Sequence, residues 1–232
     1  MSLMKFKVLF FAGLKELTGQ ETIEIDIDPP SKIGELWKLL CERYPQLRAA
    51  ESSVIFSQNQ EFAGPQAELY EGDELAVFPF VSGGCGDSEP VLRADAEGNV
   101  IQIIHSPIPI EPLIAQLSRP ENGAVVVFSG IVRDNTGGRK TRFLEYEAYV
   151  PMALRKMNEI GQALKQRWDI DRVGMVHRLG RLEIGEASIV IVVTSSHRKA
   201  AFAACQYAID TLKGIVPIWK KEYYDDGEVW VG

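Results

Sequence analysis

The first third of the chain is patterned as short strands around one amphipathic helix. Residues 21–27 (ETIEIDI) alternate polar and apolar side chains, which is typical of a half-buried strand. Apolar residues recur at helical spacing through 32–45, where Ser31 is a candidate N-cap and Pro45 ends the pattern. Other strand-forming segments lie at 5–11, 53–56 and 74–80. The predicted order, β-β-α-β-β, is a compact mixed sheet covered by one helix.

From residue 100 onward the pattern predicts a larger α+β region. Residues 151–168 are amphipathic, with Pro151 in the first helical turn. The Ala-rich residues 197–216 predict a second helix, started by Ser195 or Ser196. DNTGGRKT indicates a polar glycine loop, and PIWKKEYY a stiff segment braced by its aromatic residues. Strands are predicted at 100–108, 123–133 and 142–149, and in the segments VGMVHRLGRLEIGE and ASIVIVVTSS.

The segment SGGCGDSEP at 82–90 separates these two regions. Small, polar and proline residues without periodicity indicate a linker. We therefore predict a first domain over 1–84, a linker over 85–99 and a second domain over 100–232. Up to Gly84 there are 7 Lys and Arg against 13 Asp and Glu, a net charge of −6, and the remainder has 18 against 19, a net charge of −1. An acidic first domain can dock on basic residues of the second.

Composition and charge exclude several classes of protein. No apolar run approaches the roughly 20 residues that span a bilayer, and no signal-peptide pattern is present, so we expect no membrane partner. The overall charge of −7 disfavours nucleic acid as a partner. Three cysteines, few and far apart, indicate a reducing cytoplasm and argue against a disulfide framework or a metal site.

Basic residues of the second domain are the first candidates for chemistry. Lys213 lies near the end of the second predicted helix, where it can simply complement the helix dipole. Lys220 and Lys221 follow across a rigid turn, and such a group of lysines favours an anion or nucleophile site. His197 and Arg198 open the same helix, as a phosphate cradle or as an ordinary solvated first turn.

Other polar residues divide between binding and structure. Arg133 ends a predicted strand just before the glycine-rich loop, which is a common binding position. His177 lies inside a strand pattern and is expected to be structural, His105 to lie in a surface turn and Cys205 in the core. Cys85, in the linker, has no organised base nearby in the sequence and receives no role.

Several motifs carry a family resemblance. GAVVVFSGIVRDNTGG, LEYEAYVPMA, HRLGRLEIGE, SSHRKAAFAACQYAIDTLKGIVPIWKKE and GEVW resemble the large, catalytic subunit of molybdopterin synthase over nearly all of 100–231. VLFFAGLKELTG and ELAVFPFVSGG resemble the small subunit of that enzyme, a sulfur carrier ending in Gly-Gly. The resemblance implies an α+β protein, with a ubiquitin-like β-grasp domain followed by an α/β-hammerhead domain.

The resemblance also implies a reaction. Sulfur would be carried as a thiocarboxylate on Gly84 and transferred in two rounds to cyclic pyranopterin monophosphate, giving the dithiolene of molybdopterin, with no cofactor bound permanently. Lys213 and Lys220 match the catalytic lysines of the family. The implied substrate-binding positions are Ile131, Val132, Arg133, His197, Arg198, Lys213, Lys220, Lys221 and Glu222.

The implied partners follow from the same family. They are a second copy of the chain, dimerised through the C-terminal domain with His197 and Arg198 arriving from the neighbour, and an enzyme that adenylates and sulfurates the tail. In this sequence Gly84 is amide-bonded to Cys85, whereas a thiocarboxylate needs a free carboxyl group, so we predict a protease that cuts after Gly84. Three alternatives stay open: a carrier for another thiolation pathway, a non-catalytic pterin-binding scaffold, and a plain two-domain binding protein.

Overall fold

A computed structural model describes residues 4–27, 31–51, 54–79 and 93–231. The chain divides into two compact units, the first formed by Met1–Gly83 with Trp230–Gly232 and the second by Gly84–Val229. Residues 80–92, which contain the Gly-Gly segment, lie outside the described residues, so the domain limits at 84 and 99 stay a prediction.

The first unit is a five-stranded sheet packed against one main helix. Its strands follow the order β2-β1-β7-β4-β5, in which β1 and β7 are parallel and the other pairs antiparallel. The elements are β1 (Met4–Phe10), α1 (Gly13–Thr18), β2 (Thr22–Ile27), β3 (Ser31–Lys32), α2 (Ile33–Arg43), a 3₁₀ helix (Pro45–Ala50), β4 (Val54–Gln58), β5 (Glu61–Ala63), β6 (Glu68–Leu69) and β7 (Glu74–Pro79). This topology confirms the β-grasp prediction.

The core of the first unit explains why α2 forms where it does. Ile33, Leu36, Trp37 and Leu40 recur at helical spacing and are buried against inward-facing strand residues such as Phe56. Ser31 as the helix cap is wrong. Lys32 occupies the cap position, and its backbone N–H donates to Oε2 of Glu35 at 3.1 Å, so the third helical residue satisfies the helix start.

In its described residues, the second unit contains two sheets and three helices. Its elements are β8 (Val100–Ile104), α3 (Ile110–Leu117), β9 (Ala124–Ile131), β10 (Asn135–Thr136), β11 (Arg139–Ala148), α4 (Val150–Arg167), β12 (Val173–Arg178), β13 (Gly180–Glu183), β14 (Ala187–Ser195), α5 (Arg198–Ile215), β15 (Ile218–Tyr224) and β16 (Gly227–Val231), the last of which begins in this unit. The mixed helix and strand content confirms the predicted α+β class.

The first sheet of this unit is covered on both faces. Its order is β8-β12-β14-β9, with β8 parallel to β12. Met157 and Ile160 of α4 pack with Met175 and Ile191 of the sheet, and α5 adds small residues such as Ala204 to the same cluster. Helix α3 contributes to a separate cluster with other residues of the same strands. Burial on two faces accounts for the nearly continuous apolar sequences of β12 and β14.

The second sheet has the order β10-β11-β15-β16, with β13 also paired to β11. The polar glycine loop predicted at DNTGGRKT is the tight hairpin that joins β10 to β11 in this sheet. Gly137 and Gly138 both have positive φ, of 60° and 85°, which a two-residue hairpin turn of this hand requires. Thr136 and Arg139 therefore lie directly opposite each other.

Two details at the ends of the long helices are informative. Pro151 lies in the first turn of α4, as predicted. For α5 the predicted start at Ser195 or Ser196 is wrong, because His197 is the N-cap and Ser195 belongs to β14. The Ser195 hydroxyl instead donates to the carbonyl of Asp169 at 2.7 Å.

Within the described residues no helix combines the length and apolar character needed to cross a membrane.

Candidate functional site

The predicted lysines lie on two successive elements of the second unit. Lys213 is exposed in the last turn of α5, whereas Lys220 is half-buried on β15. The connection is short, and the backbone N–H of Tyr149 donates to the carbonyl of Pro217 at 3.1 Å, which anchors it. Within this segment, Ile218–Tyr224 form β15, a strand of the second sheet.

Strand alternation separates the two neighbouring lysines. Successive side chains of a strand point to opposite faces, so Lys220 shares a face with Glu222, and Lys221 lies on the other. Nζ of Lys221 forms an ion pair with Oε1 of Glu228 at 2.5 Å, and only 7% of Lys221 is exposed. Within the predicted Lys-Lys-Glu run, Lys220 thus pairs with Glu222, whereas Lys221 pairs with Glu228 on the opposite face of the strand.

The carboxylate of Glu222 organises the face that carries Lys220. Its Oε1 accepts a hydrogen bond from Nζ of Lys220 at 2.6 Å, and its Oε2 accepts one from the Tyr224 hydroxyl at 2.8 Å. Burial alone would raise the pKa of Glu222, but hydrogen bonds from Lys220, Tyr224 and Thr136 lower it below its usual value. Glu222 is therefore an ionised carboxylate that is only 1% exposed, paired with an ammonium group.

Tyr146 borders this pair from the neighbouring strand. It lies directly opposite Lys220 in the β11–β15 register. Burial raises its pKa, although a hydrogen bond with Ser188 acts in the opposite direction, so the phenol stays neutral. Its ring meets the edge of the His177 ring at a centroid distance of 5.1 Å. His177 is 4% exposed, and burial lowers its pKa to about 4, so it is a neutral core residue, as expected.

Arg133 is exposed and follows directly after the buried Val132. The backbone N–H of Val132 donates to the carbonyl of Glu186 at 2.9 Å, and its carbonyl accepts from the N–H of Gly185 at 2.9 Å. These bonds fix the chain at the point where Arg133 projects. They also engage both backbone polar groups of Val132, its N–H and its carbonyl.

The remaining predicted residues are spread over the second unit and beyond. His197 and Arg198 are exposed at the start of α5, and Ile131 is 55% exposed at the end of β9. Gly84 and Cys85 lie outside the described residues. Cys205 is buried, as expected, and burial raises the pKa of its thiol to about 11. The structure thus brings Lys220 and Glu222 into contact on β15, whereas His197, Arg198 and Lys213 belong to α5 and Ile131 ends β9.

Sequence reasoning missed the residues that surround Glu222. Tyr224 was within reach, because the period-two pattern of β15 puts residues 220, 222 and 224 on one face. Thr136 and Tyr146 come from other strands, and only the register of β11 against its neighbours reveals them. Among the residues that the structure describes, no group of three His, Cys, Asp or Glu side chains is arranged to hold a metal ion.

Comparison with known proteins identifies relatives of both parts of the chain. Residues 103–215 match the family described as MoaE protein, and residues 8–84 match the ThiS family. The molybdopterin synthase catalytic subunit of Halalkalibacterium halodurans is 48% identical over 130 residues, covering 56% of this chain and 83% of that protein. The Bacillus subtilis protein of the same name is 47% identical over 131 residues, again covering 56% and 83%.

A solved structure agrees with this similarity. The crystal structure of molybdopterin synthase from Staphylococcus aureus superposes with a TM-score of 0.55 at 45% sequence identity. The match covers 57% of this chain and 96% of the other chain. The second unit therefore has close relatives over most of their length, while residues 8–84 match a separate family.

Proposed function

The chain belongs to the family of molybdopterin synthase catalytic subunits, and from this premise we propose that it transfers sulfur to a pterin to make molybdopterin. The substrate is cyclic pyranopterin monophosphate, and the donor is a thiocarboxylate on Gly84. The observation that supports this most is the presence of a ThiS-family domain in the same chain as the catalytic domain. A carrier and the enzyme that uses it are thereby made in equal amounts.

The Lys220–Glu222 pair supports a chemical role at the site of sulfur transfer. A thiocarboxylate is already a good nucleophile at neutral pH, so the enzyme has to position it and stabilise developing charge. Attack of its sulfur forms a carbon–sulfur bond to the pterin while a carbon–oxygen bond of the pterin breaks and the oxygen leaves. Water then adds to the Gly84 carbonyl of the resulting thioester, so that the carbonyl–sulfur bond breaks, the sulfur stays on the pterin and Gly84 is released as a carboxylate. We assign to Lys220 the stabilisation of negative charge and to Lys213 assistance to the intermediate.

The substrate is an anion, and exposed cations of the second unit suit it. Arg133 offers a planar guanidinium, and the start of α5 combines backbone N–H groups with His197 and Arg198. Lys221 is paired with Glu228, and we assign to it only a secondary role in substrate binding. We propose that the chain dimerises through the second domain, so that His197 and Arg198 of one copy complete the site of its neighbour.

The sulfur-carrying carboxyl group has to be made before it can react. We infer that a protease cuts the Gly84–Cys85 bond, which separates a carrier of residues 1–84 from a linker over 85–99 and a catalytic domain over 100–232. A partner enzyme then adenylates and sulfurates Gly84. Cys41 and Cys205 are buried free thiols, which supports a cytoplasmic location, where thiols stay reduced.

Lysine variants test the proposed reaction. Residues 1–84 carrying a C-terminal thiocarboxylate, made by sulfide cleavage of an intein fusion, are mixed with the catalytic part and the pterin, and molybdopterin is measured. Lys220→Ala is expected to lower kcat by about 100-fold, because one charge-stabilising donor is lost, and Lys213→Ala to lower it as well. Lys165→Ala, which removes an ion pair with Glu97, is the control and should retain activity.

The same assay separates the alternatives. A wild-type catalytic part that binds the pterin without converting it would indicate a scaffold. A thiocarboxylated carrier that is consumed only by other acceptors would indicate a different thiolation pathway. Full activity of Lys213→Ala would contradict its assigned role.

A further inference from the structure

The proposed function assigns no role to Tyr224, yet the hydroxyl group of this residue contacts Glu222, one of the predicted site residues. The side chain is only 6% exposed, and its hydroxyl donates to Oε2 of Glu222 at 2.8 Å. The other oxygen of the same carboxylate accepts from Nζ of Lys220 at 2.6 Å. Lys220, Glu222 and Tyr224 alternate along β15 and share one face. The carboxylate of Glu222 thus connects the Tyr224 hydroxyl to the ammonium group of Lys220, which is proposed to be catalytic.

The Tyr224 ring is itself held from a neighbouring strand. The guanidinium carbon of Arg139 lies 3.8 Å from the centroid of the ring, which is a cation–π contact. The same guanidinium forms an ion pair with Oδ1 of Asp226 at 2.7 Å. Arg139 is therefore fixed by the turn that follows β15, and the phenol ring is fixed by Arg139.

We propose that Tyr224 is a positioning residue for sulfur transfer, which acts by holding the Glu222 carboxylate so that the Lys220 ammonium keeps one orientation. This inference rests on the proposed role of Lys220. A carboxylate that is 1% exposed needs hydrogen-bond donors on both oxygens, because burial of an unpaired charge is unfavourable. Loss of the Tyr224 hydroxyl leaves Oε2 short of a donor, and the carboxylate then turns or takes up a proton.

Among the described residues, the groups that interact with Glu222 favour its ionised form or are neutral. Lys220 and Tyr224 approach it from β15, and Thr136 approaches from β10. From β11 come Arg139 and Tyr146, and each senses the charge of Glu222. Burial, together with the bond to Glu222, raises the pKa of Tyr224, so its hydroxyl remains a donor at neutral pH. Removal of one donor should therefore raise the pKa of Glu222.

The test compares Tyr224→Phe with a matched control in the full set of cut components. Tyr224→Phe keeps the ring beneath Arg139 and removes only the hydroxyl. We expect kcat to fall about 10-fold with KM for the pterin changed by less than about 2-fold, as for a group that acts on the charge-stabilising residue and not on substrate binding. The acidic limb of the kcat profile should move to higher pH, because Glu222 protonates more easily.

Tyr223→Phe is the control, since it removes a hydroxyl from the adjacent residue on the opposite face. That hydroxyl donates to Oε2 of Glu145 and not to Glu222. Its kcat and pH profile should match the wild type. Arg139→Met, which loosens the ring without deleting the hydroxyl, should show a smaller change in the same direction as Tyr224→Phe, and it keeps the test decisive if Tyr224→Phe folds poorly.

Each outcome decides one point. A wild-type protein that makes no molybdopterin contradicts the proposed function. An active wild type whose Tyr224→Phe variant has the kcat and pH profile of Tyr223→Phe overturns the positioning role alone. Carbon NMR titration of Glu222 without substrate gives an independent reading, because an unchanged pKa in Tyr224→Phe overturns the inference whatever the activity.

Discussion

At the scale of single residues, burial decides which ionisable groups keep their charge. His177 and Glu222 are both almost fully buried within the second unit. Glu222 has three hydrogen-bond donors and stays ionised, whereas His177 bonds through Nδ1 to the carbonyl of Arg178 at 2.9 Å and stays neutral. A buried group is charged only where its neighbours supply donors or an opposite charge.

The neutral state of His177 predicts a pH-dependent stability. Its pKa in the folded protein is about 4, below the value of about 6.5 for an unfolded chain. Between these values the unfolded chain binds the proton and the folded chain does not. The free energy of unfolding should therefore decrease as the pH is lowered from 6.5 to 4, by up to about 3 kcal/mol. Urea denaturation at several pH values measures this effect.

His177→Phe supplies the comparison, since it keeps an aromatic ring and removes the titrating group. Between pH 6.5 and pH 4, the free energy of unfolding of the variant should fall less than that of the wild type. The difference should be the contribution of His177, up to about 3 kcal/mol. Parallel curves for wild type and variant would mean that His177 does not titrate in this way.

Side-chain contacts within one strand were predictable from the sequence, whereas contacts between strands, which depend on the register of their pairing, were not. The alternation of PIWKKEYY is enough to pair Lys220 with Glu222 and to separate Lys221. The contact of Tyr146 with this face depends on the antiparallel pairing of β11 with β15, which includes a register shift between Thr141 and Phe143. A shift of one residue would reverse the face of every side chain, and sequence alone does not specify it.

At the scale of elements, the start of α5 depends on a close approach of two backbones. Gly123 directly precedes β9, and Ala124 pairs in register with Ser195 at the end of β14. A Cβ atom on Gly123 would collide with the carbonyl oxygen of Ser196, which is backbone and cannot rotate away. Because Ser196 precedes His197 and Arg198, this glycine sets where the proposed anion-binding residues lie.

Gly123→Ala should therefore affect both stability and the site. We expect the free energy of unfolding to fall by about 1–3 kcal/mol, as for overpacking, and KM for the pterin to rise. Gly214→Ala in the last turn of α5 is the stability control, because an added Cβ there meets open space. It should raise the free energy of unfolding by up to about 1 kcal/mol. Equal thermal denaturation of both variants would contradict this account of the α5 start.

The long helices were predictable because each has a sustained apolar face. The predicted limits of α4 and α5 differ from the observed limits by one residue at each end. Helix α1 has six residues and α3 has eight, which is too short for a periodic signal. Helix α3 also carries Pro112 in its first turns and follows Pro107 and Pro109, so its sequence has the composition of a loop.

At the scale of the whole molecule, the chain joins a β-grasp unit to a unit of the molybdopterin synthase catalytic family. The first unit ends its last described strand at Pro79, five residues before Gly84. A sulfur carrier reacts through a free terminal carboxyl group, and the peptide bond to Cys85 blocks that group. We therefore propose that residues 1–84 carry sulfur only after this bond is cut.

This proposal is tested by mass spectrometry of the chain isolated from cells of its native host that are making molybdopterin. We expect a fragment that ends at Gly84, part of it heavier by the difference between one sulfur and one oxygen atom, together with a fragment that begins at Cys85. Detection of the intact chain alone, in cells whose molybdopterin synthesis depends on it, would overturn the proposal.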